Sequence, residues 1–377
     1  MNEYNNKQIP VNDLKLSQYE LDCALDALNT GFISGTTGKY LQLFENSFAS
    51  FTGSKYSIAC SSGTTALQLA LRVLNLNRGD EVIVNTFTNI ASVLAIIYNG
   101  AKPVLVDSRH DTWSMDEEKI EEKITDKTKV IMPVHIYGHP VKMDTVIKLA
   151  KKYKLKVVED AAEAHGAKFE NNVVGHFGDM GCFSFLAGKI ITTGEGGAVV
   201  TNNRYLANRL KSLRGLAFGK GENRYMHREL GFNFRMSNLS AAIGYGQMSR
   251  ADELITFRRK LASWYNEELE GVKGLTLPIE KPWAKNVYWV YGIVVNEDFR
   301  LTRSELMREL AQRYIESRPF FVPMHKQRVF KSMGLFRNEK YPVSEYLGSH
   351  GMYLPSGSTL TREDIHRIGK SIREIAR

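Results

Sequence analysis

Three short stretches of this chain carry residue types that could do chemistry together. Lys189 stands between the apolar run ending Ser184-Phe185-Leu186-Ala187-Gly188 and the glycine-rich Thr192-Thr193-Gly194-Glu195-Gly196-Gly197. An amine held against apolar surroundings gives up its proton more readily, which is what a lysine nucleophile requires. Taken alone, the same residue reads more readily as a solvated turn lysine than as a nucleophile. Upstream, Val157-Val158-Glu159-Asp160-Ala161-Ala162-Glu163 runs from apolar into acidic residues. Ligands of an open α/β sheet bind outside the carboxyl ends of its strands, so Asp160 is placed to face a crevice, where a carboxylate keeps a pyridine nitrogen protonated; it could instead cap the next helix. Further upstream, Ser61-Ser62-Gly63-Thr64-Thr65 separates a strand-like run, Tyr56 to Cys60, from a helical one, Ala66 to Leu74. Small residues there let helix N–H groups approach an anion, with hydroxyls as further donors, although a plain Ser/Thr cap has the same composition.

The order of the three narrows the choice. An anion-binding turn, a strand-end aspartate and a lysine after a later strand are the three contacts that a phosphate-bearing pyridine aldehyde needs, and pyridoxal phosphate is the cofactor that fits them. No G-x-G-x-x-G or G-x-x-x-x-G-K-[ST] motif follows a strand-like run, which removes the main support for a dinucleotide or for ATP.

The elements that must hold these residues are legible as alternating runs. Strand-like segments at Tyr56 to Cys60, Glu81 to Asn85, Lys102 to Asp107, Lys129 to His135, Lys156 to Glu159, Gly181 to Phe185 and Gly197 to Thr201 alternate with helical patterns, after a first amphipathic helix at Leu16 to Ala27. Alternation of that kind makes a mostly parallel sheet covered by helices. Consecutive β-branched residues, as in Val82-Ile83-Val84, suit strands buried on both faces. Beyond Gly246 the pattern changes to a long helical stretch up to Arg259, a β-run at Tyr288 to Val295, a helix at Thr302 to Gln312, an extended run at Arg318 to Met324 and a last helix from Arg362. The expected architecture is a large α/β domain over 1–250 and a small α+β domain over 251–377, closely packed, since no Pro/Gly/Ser-rich linker separates them.

Bulk properties set outer limits. The chain has 377 residues and a formal net charge of +9, but its basic residues are spread out instead of gathered into an arm, so the charge suits an anionic small substrate better than nucleic acid. The three cysteines, Cys23, Cys60 and Cys182, are far apart in sequence, which supports neither a disulfide framework nor a metal site. A polar N-terminus and the lack of any long apolar run lead to the expectation of a cytoplasmic protein without a membrane segment.

With these residues in view, the chain resembles the DegT/DnrJ/EryC1/StrS sugar aminotransferases. The matching stretches are Phe32-Ile33-Ser34-Gly35, Ser62-Gly63-Thr64, Asn85-Thr86-Phe87-Thr88, His135-Ile136-Tyr137-Gly138, Glu159 to Gly166, Phe183 to Gly197, Gly231 to Met236 and Pro323-Met324-His325. The resemblance implies pyridoxal-phosphate fold type I, like aspartate aminotransferase, and a homodimer with shared active sites. It implies Lys189 as the catalytic Schiff-base lysine, Asp160 at the pyridine nitrogen, Ser62, Gly63, Thr64 and Ser184 at the phosphate, Phe87 on the ring and Glu163 beside the pyridine hydroxyl, where many relatives carry glutamine. Asn233 would reach the phosphate of the partner subunit. Within the family, Glu316 to Gln327 and Leu354-Pro355-Ser356-Gly357 look most like the branch that moves an amino group from L-glutamate to C4 of GDP-4-keto-6-deoxymannose, giving a perosamine for surface polysaccharide. That implies substrate-facing roles for Ser34, Arg318 and His325, the last two equally readable as structural. Leu186-Ala187-Gly188 departs from this branch, where an aromatic-glycine-asparagine run is more usual.

Overall fold

The computed structural model describes residues 7–377 apart from Lys220 and Arg228. Its centre is a seven-stranded sheet whose spatial order is Tyr56–Cys60, Gly197–Thr201, Met180–Ser184, Lys156–Asp160, Thr128–Met132, Glu81–Asn85 and Lys102–Val106. Six strands run parallel, and Gly197–Thr201 is antiparallel to both its neighbours. Side chains alternate across such strands, and the two faces feed two cores. Val82 and Val84 enter one with the helices Gly63–Val73, Ile90–Tyr98 and Arg204–Arg214. Ile83 enters the other with Tyr40–Thr52, Met143–Tyr153 and Asn238–Met248.

A second sheet, of antiparallel strands in the order Leu275–Thr276, Tyr291–Val295, Gly351–Leu354 and Arg318–Pro319, has its own core with the helices Ala251–Leu269, Arg303–Gln312 and Arg362–Ala376. Ile9 belongs to this third core: its N–H donates to the carbonyl of Tyr314 at 2.8 Å, and its carbonyl accepts from Glu316 N–H at 3.0 Å. The N-terminal segment therefore crosses to the C-terminal part of the chain, and Ser356 N–H donates to the carbonyl of Val11 at 2.9 Å.

Three sequence expectations are corrected in detail. The stretch from Gly246 to Arg259 is two helices, because Arg250 leaves helical geometry at φ −128°, ψ 24° and its Nε donates to the buried Glu20 at 2.8 Å. The β-run expected from Tyr288 starts at Tyr291, since Tyr288 itself is left-handed at φ 47°. The extended run at Arg318 to Met324 is in ladder register only at Arg318 and Pro319, with Phe320 N–H donating to the Gly351 carbonyl at 2.9 Å; the prolines at 319 and 323 have no ladder donor.

Candidate active site

The carboxyl ends of the parallel strands open on a cleft of about 180 Å³ that Ser62, Gly63, Thr64, Asp160, Glu163, Ser184 and Lys189 all line. They come from three strand ends and the turns after them, Tyr56–Cys60, Lys156–Asp160 and Met180–Ser184, so the sheet itself sets their spacing.

Ser62 caps the helix Gly63–Val73 in a box with Thr65: its Oγ accepts from Thr65 N–H at 3.1 Å while Thr65 Oγ1 accepts from Ser62 N–H at 3.0 Å. The cap is thus real, and it leaves the first helix N–H groups, those of Gly63 and Thr64, pointing out of the helix end where an anion is stabilised. Glycine is required at 63 because a Cβ would stand 2.6 Å from the Cβ of Ser184. That close approach presses the helix end against the strand Met180–Ser184 and puts the Ser184 hydroxyl beside it.

Asp160 is 4% exposed. Its backbone is clamped to the neighbouring strand end, N–H to the Pro133 carbonyl at 2.9 Å and carbonyl to the His135 N–H at 3.0 Å. Its carboxylate accepts from Ser92 Oγ at 2.7 Å and from Ala162 N–H at 3.1 Å. Burial raises its pKa, and those two donors pull the other way. Behind it, the fully buried Glu159 accepts from Gly175 N–H at 2.7 Å, Gly178 N–H at 2.9 Å and His135 Nε2 at 3.2 Å. His135 Nδ1 accepts from Val141 N–H at 3.0 Å, which assigns the ring proton to Nε2.

Lys189 and Glu163 form a buried pair, Nζ to Oε1 at 3.7 Å, with the lysine 8% exposed. Burial pushes the Glu163 carboxyl up to about 7 against the pull of Lys189, and burial lowers the lysine pKa against the pull of Glu163 and Asp160. The other Glu163 oxygen accepts from Tyr137 N–H at 2.8 Å. Tyr137 holds a left-handed φ of 53°, an uncommon conformation for a bulky residue that persists where surroundings over-determine it. Trp289, which the sequence reading passed over, faces Lys189: its ring centroid is 3.5 Å from Nζ. Ser92, Thr88, Asn89 and Glu195 were likewise missed; the last three line the cleft. Only their proximity to the Asp160 and Lys189 turns in the fold marks them.

The remaining expected residues are not brought into the cleft. The Phe87 ring is fully buried among Tyr137, Phe320 and Phe321, with centroids 5.8–6.5 Å away. Asn233 is exposed, bridged to Gly215, and does not line the cleft of its own chain. Ser34 is exposed beside Thr36, 3.0 Å between hydroxyls. Arg318 is exposed, with Glu316 at 3.9 Å, opposite Tyr353 on the paired strand. His325 is the clear correction. It is 1% exposed, and its two ring nitrogens are already bonded to Thr86 Oγ1 at 2.8 Å and Glu345 at 3.0 Å. The ring therefore ties the Glu81–Asn85 strand end to the helix Pro342–His350 and has no edge left for a ligand. Ser356 is structural too: its Oγ accepts from Tyr291 N–H at 2.9 Å and donates to the Leu354 carbonyl at 2.9 Å.

Residues 15–373 match the family model of the DegT/DnrJ/EryC1/StrS aminotransferases. The chain belongs to this family. It is 41% identical over 368 residues to a GDP-perosamine synthase of Escherichia coli O157:H7, covering 98% of each chain. It is 37% identical over 347 residues, 92% of this chain and 90% of the other, to a UDP-N-acetyl-3-dehydro-α-D-glucosamine 3-aminotransferase of Acidithiobacillus ferrooxidans. The structure of DesV from S. venezuelae, in complex with a ketimine intermediate, superposes with a TM-score of 0.91 at 34% identity, covering 98% of this chain and 99% of that one. The protein is a pyridoxal-phosphate-dependent sugar aminotransferase acting on nucleotide-linked keto sugars. The cleft suits the cofactor: a helix end that a Cβ at position 63 would obstruct, a buried carboxylate with bonding capacity to spare, and a buried amine. Among the described residues no helix is long and apolar enough to cross a membrane.

Proposed function

We propose that this aminotransferase moves an amino group from L-glutamate to C4 of GDP-4-keto-6-deoxymannose, yielding GDP-perosamine for a surface polysaccharide. The observation that carries this reading is the 41% identity, over nearly the whole of both chains, to a GDP-perosamine synthase. A 3-aminotransferase of a UDP sugar at 37% identity makes amination at C3 of another nucleotide sugar the second reading.

In the cleft, Gly63 and Thr64 N–H groups with the Ser62 and Ser184 hydroxyls would hold the phosphate of pyridoxal phosphate, Asp160 the pyridine nitrogen, and Lys189 the aldehyde carbon. When bound, the cofactor serves as the electron sink for carbon next to nitrogen. Lys189 is the proton carrier, because its burial lowers its pKa and so makes the neutral amine accessible as a base. Glu163 takes or returns charge beside it at 3.7 Å. Asp160 stays an acceptor, held by Ser92 and Ala162. Arg318, exposed on the strand paired with Tyr353, is the cation offered to the nucleotide diphosphate.

The working unit in this reading is a homodimer. Leu21, Leu25, Leu28 and Phe32 are each 42–54% exposed. The first three fall at helical spacing along Gln18–Asn29, so they make one apolar stripe that a second copy would cover. Asn233, exposed and outside its own cleft, is free to complete the partner's.

A half-reaction screen tests the substrate. The protein is loaded with glutamate until the cofactor absorbance changes, then offered nucleotide keto sugars one at a time. The GDP-4-keto-6-deoxymannose sample should restore the starting spectrum fastest; restoration only by a UDP or dTDP 3-keto sugar rejects the proposal. Lys189→Ala should show no turnover, and repeated turnover by that variant would remove Lys189 from its role.

A further inference from the structure

Lys189 approaches the cleft from a turn that is tied down by the other half of the chain. Trp289 lies just before the strand Tyr291–Val295, and its backbone N–H donates to the Tyr137 carbonyl at 3.0 Å. Val287 N–H donates to the Gly138 carbonyl at 3.2 Å, so the segment 287–289 is stitched to the loop that also holds Glu163. From there the indole reaches across. Its Nε1–H donates to the Gly188 carbonyl at 2.8 Å, and its ring face lies 3.5 Å from Lys189 Nζ.

We propose that Trp289 is the positioning residue of Lys189: its ring face carries the ε-ammonium and its N–H anchors the turn that presents it. This deepens the reading of Lys189 as the amine nucleophile and rests on it. An ammonium this buried has lost most of its water, and an aromatic face is the neutral surface that returns part of that loss. The charged and titratable groups facing the amine are Glu163 and Asp160, which favour the ammonium, and His165, whose charged form would oppose it. Trp289 adds attraction without adding a charge that a bound anion would feel.

The same geometry gives a reason why Leu186-Ala187-Gly188 can depart from the aromatic-glycine-asparagine run. The contact is made by the carbonyl of residue 188, not by its side chain. A Cβ at 188 would meet only the side chain of Asn12, at 3.4 Å, so the anchor does not depend on which side chain stands there.

The test uses the full-length protein stripped of cofactor, so that it reads Lys189 whether or not the chain aminates the proposed sugar. A small amine-acylating reagent is applied across a pH series, and labelling at Lys189 is followed by peptide mass spectrometry. Trp289→Leu keeps the site dry and removes the ring face. Its labelling midpoint should fall by about 0.5–1.5 pH units, while Trp289→Phe, which keeps a face, should move by less than half as much. In Trp289→Phe the lost N–H should speed amide hydrogen exchange across residues 186–190. A Leu variant at the native midpoint, a Phe variant shifted as far as Leu, or unchanged exchange in Trp289→Phe overturns the assignment. Should the Leu variant fail to fold, the summed emission of the four tryptophans is titrated instead in Lys189→Met and in the native chain: a pH step present only in the native chain supports the proposal, and the same titration in both refutes it.

Discussion

Ser92→Ala isolates what holds the carboxylate of Asp160 ready. Ser92 is fully buried and donates to Asp160 at 2.7 Å, while Thr88 Oγ1 lies 2.9 Å from the same hydroxyl. Removing a hydrogen bond to a charged group costs about 1.5–3 kcal/mol. At 1.36 kcal/mol per unit, that raises the proton affinity of Asp160 by roughly one to two pKa units. Burial has already raised it, so the variant's titration moves further toward neutrality. The sign then follows by linkage. Cofactor binding through the pyridine nitrogen demands the ionised carboxylate. At low pH the cofactor-free variant is protonated and must lose that proton to bind, whereas at high pH free and bound forms are both ionised and suffer equally. The dissociation constant for pyridoxal phosphate, measured from about pH 5 to pH 9 by absorbance, should therefore be weakened relative to native most at the acid end and converge on native toward pH 9. Taking the ratio of variant to native cancels the titration of the cofactor itself. A ratio that stays constant across the series refutes the role given to the Ser92 hydroxyl and with it the assignment of Asp160 to the pyridine nitrogen.

Other substitutions separate cofactor-holding from fold-holding residues. Gly63→Ala puts a methyl 2.6 Å from the Ser184 Cβ, so pyridoxal phosphate should bind at least about 10-fold more weakly as the helix end is pushed away; Gly63→Ala/Ser184→Gly should recover part of that loss, and strict additivity of the two changes in a double-mutant cycle would be the wrong result. Glu159→Ala strands two amide N–H groups and the His135 ring in the core, which should cost about 3–5 kcal/mol in urea denaturation, and a loss under about 1 kcal/mol contradicts this count of partners. His325→Gln should lower stability by about 1–3 kcal/mol with KM for the sugar within about 2-fold of native; a large KM rise with unchanged stability would restore the substrate role. Burial lowers the His325 pKa, so its folded form binds fewer protons than its unfolded form, and the stability it contributes is full above about pH 6.5 and lost as pH falls from there. The Gln variant should show a shallower acid loss in thermal melts.

The strands around the site were legible because they are largely buried and so read as short apolar runs, several with consecutive β-branched residues, and the end of such a run fixes where a side chain must open into the crevice. Asp160 and the Ser62–Thr64 turn follow from that rule, Ser184 was implied by the family resemblance, and all of them meet in one cleft. His325 did not follow, because polar residues near a site look alike in sequence whether they face a ligand or tie two elements together. His325 is settled only by its two partners, Thr86 and Glu345, one of them 239 positions away. Trp289 was hidden for a different reason. It sits in what reads as the first turn of a strand, yet Tyr288 is left-handed, and that single reversal turns the indole out of the small sheet's ladder and under Lys189. A residue whose side-chain direction depends on one unusual φ is invisible to periodicity. A side chain delivered by the irregular stretch before a strand of the small sheet is therefore what sequence pattern places worst.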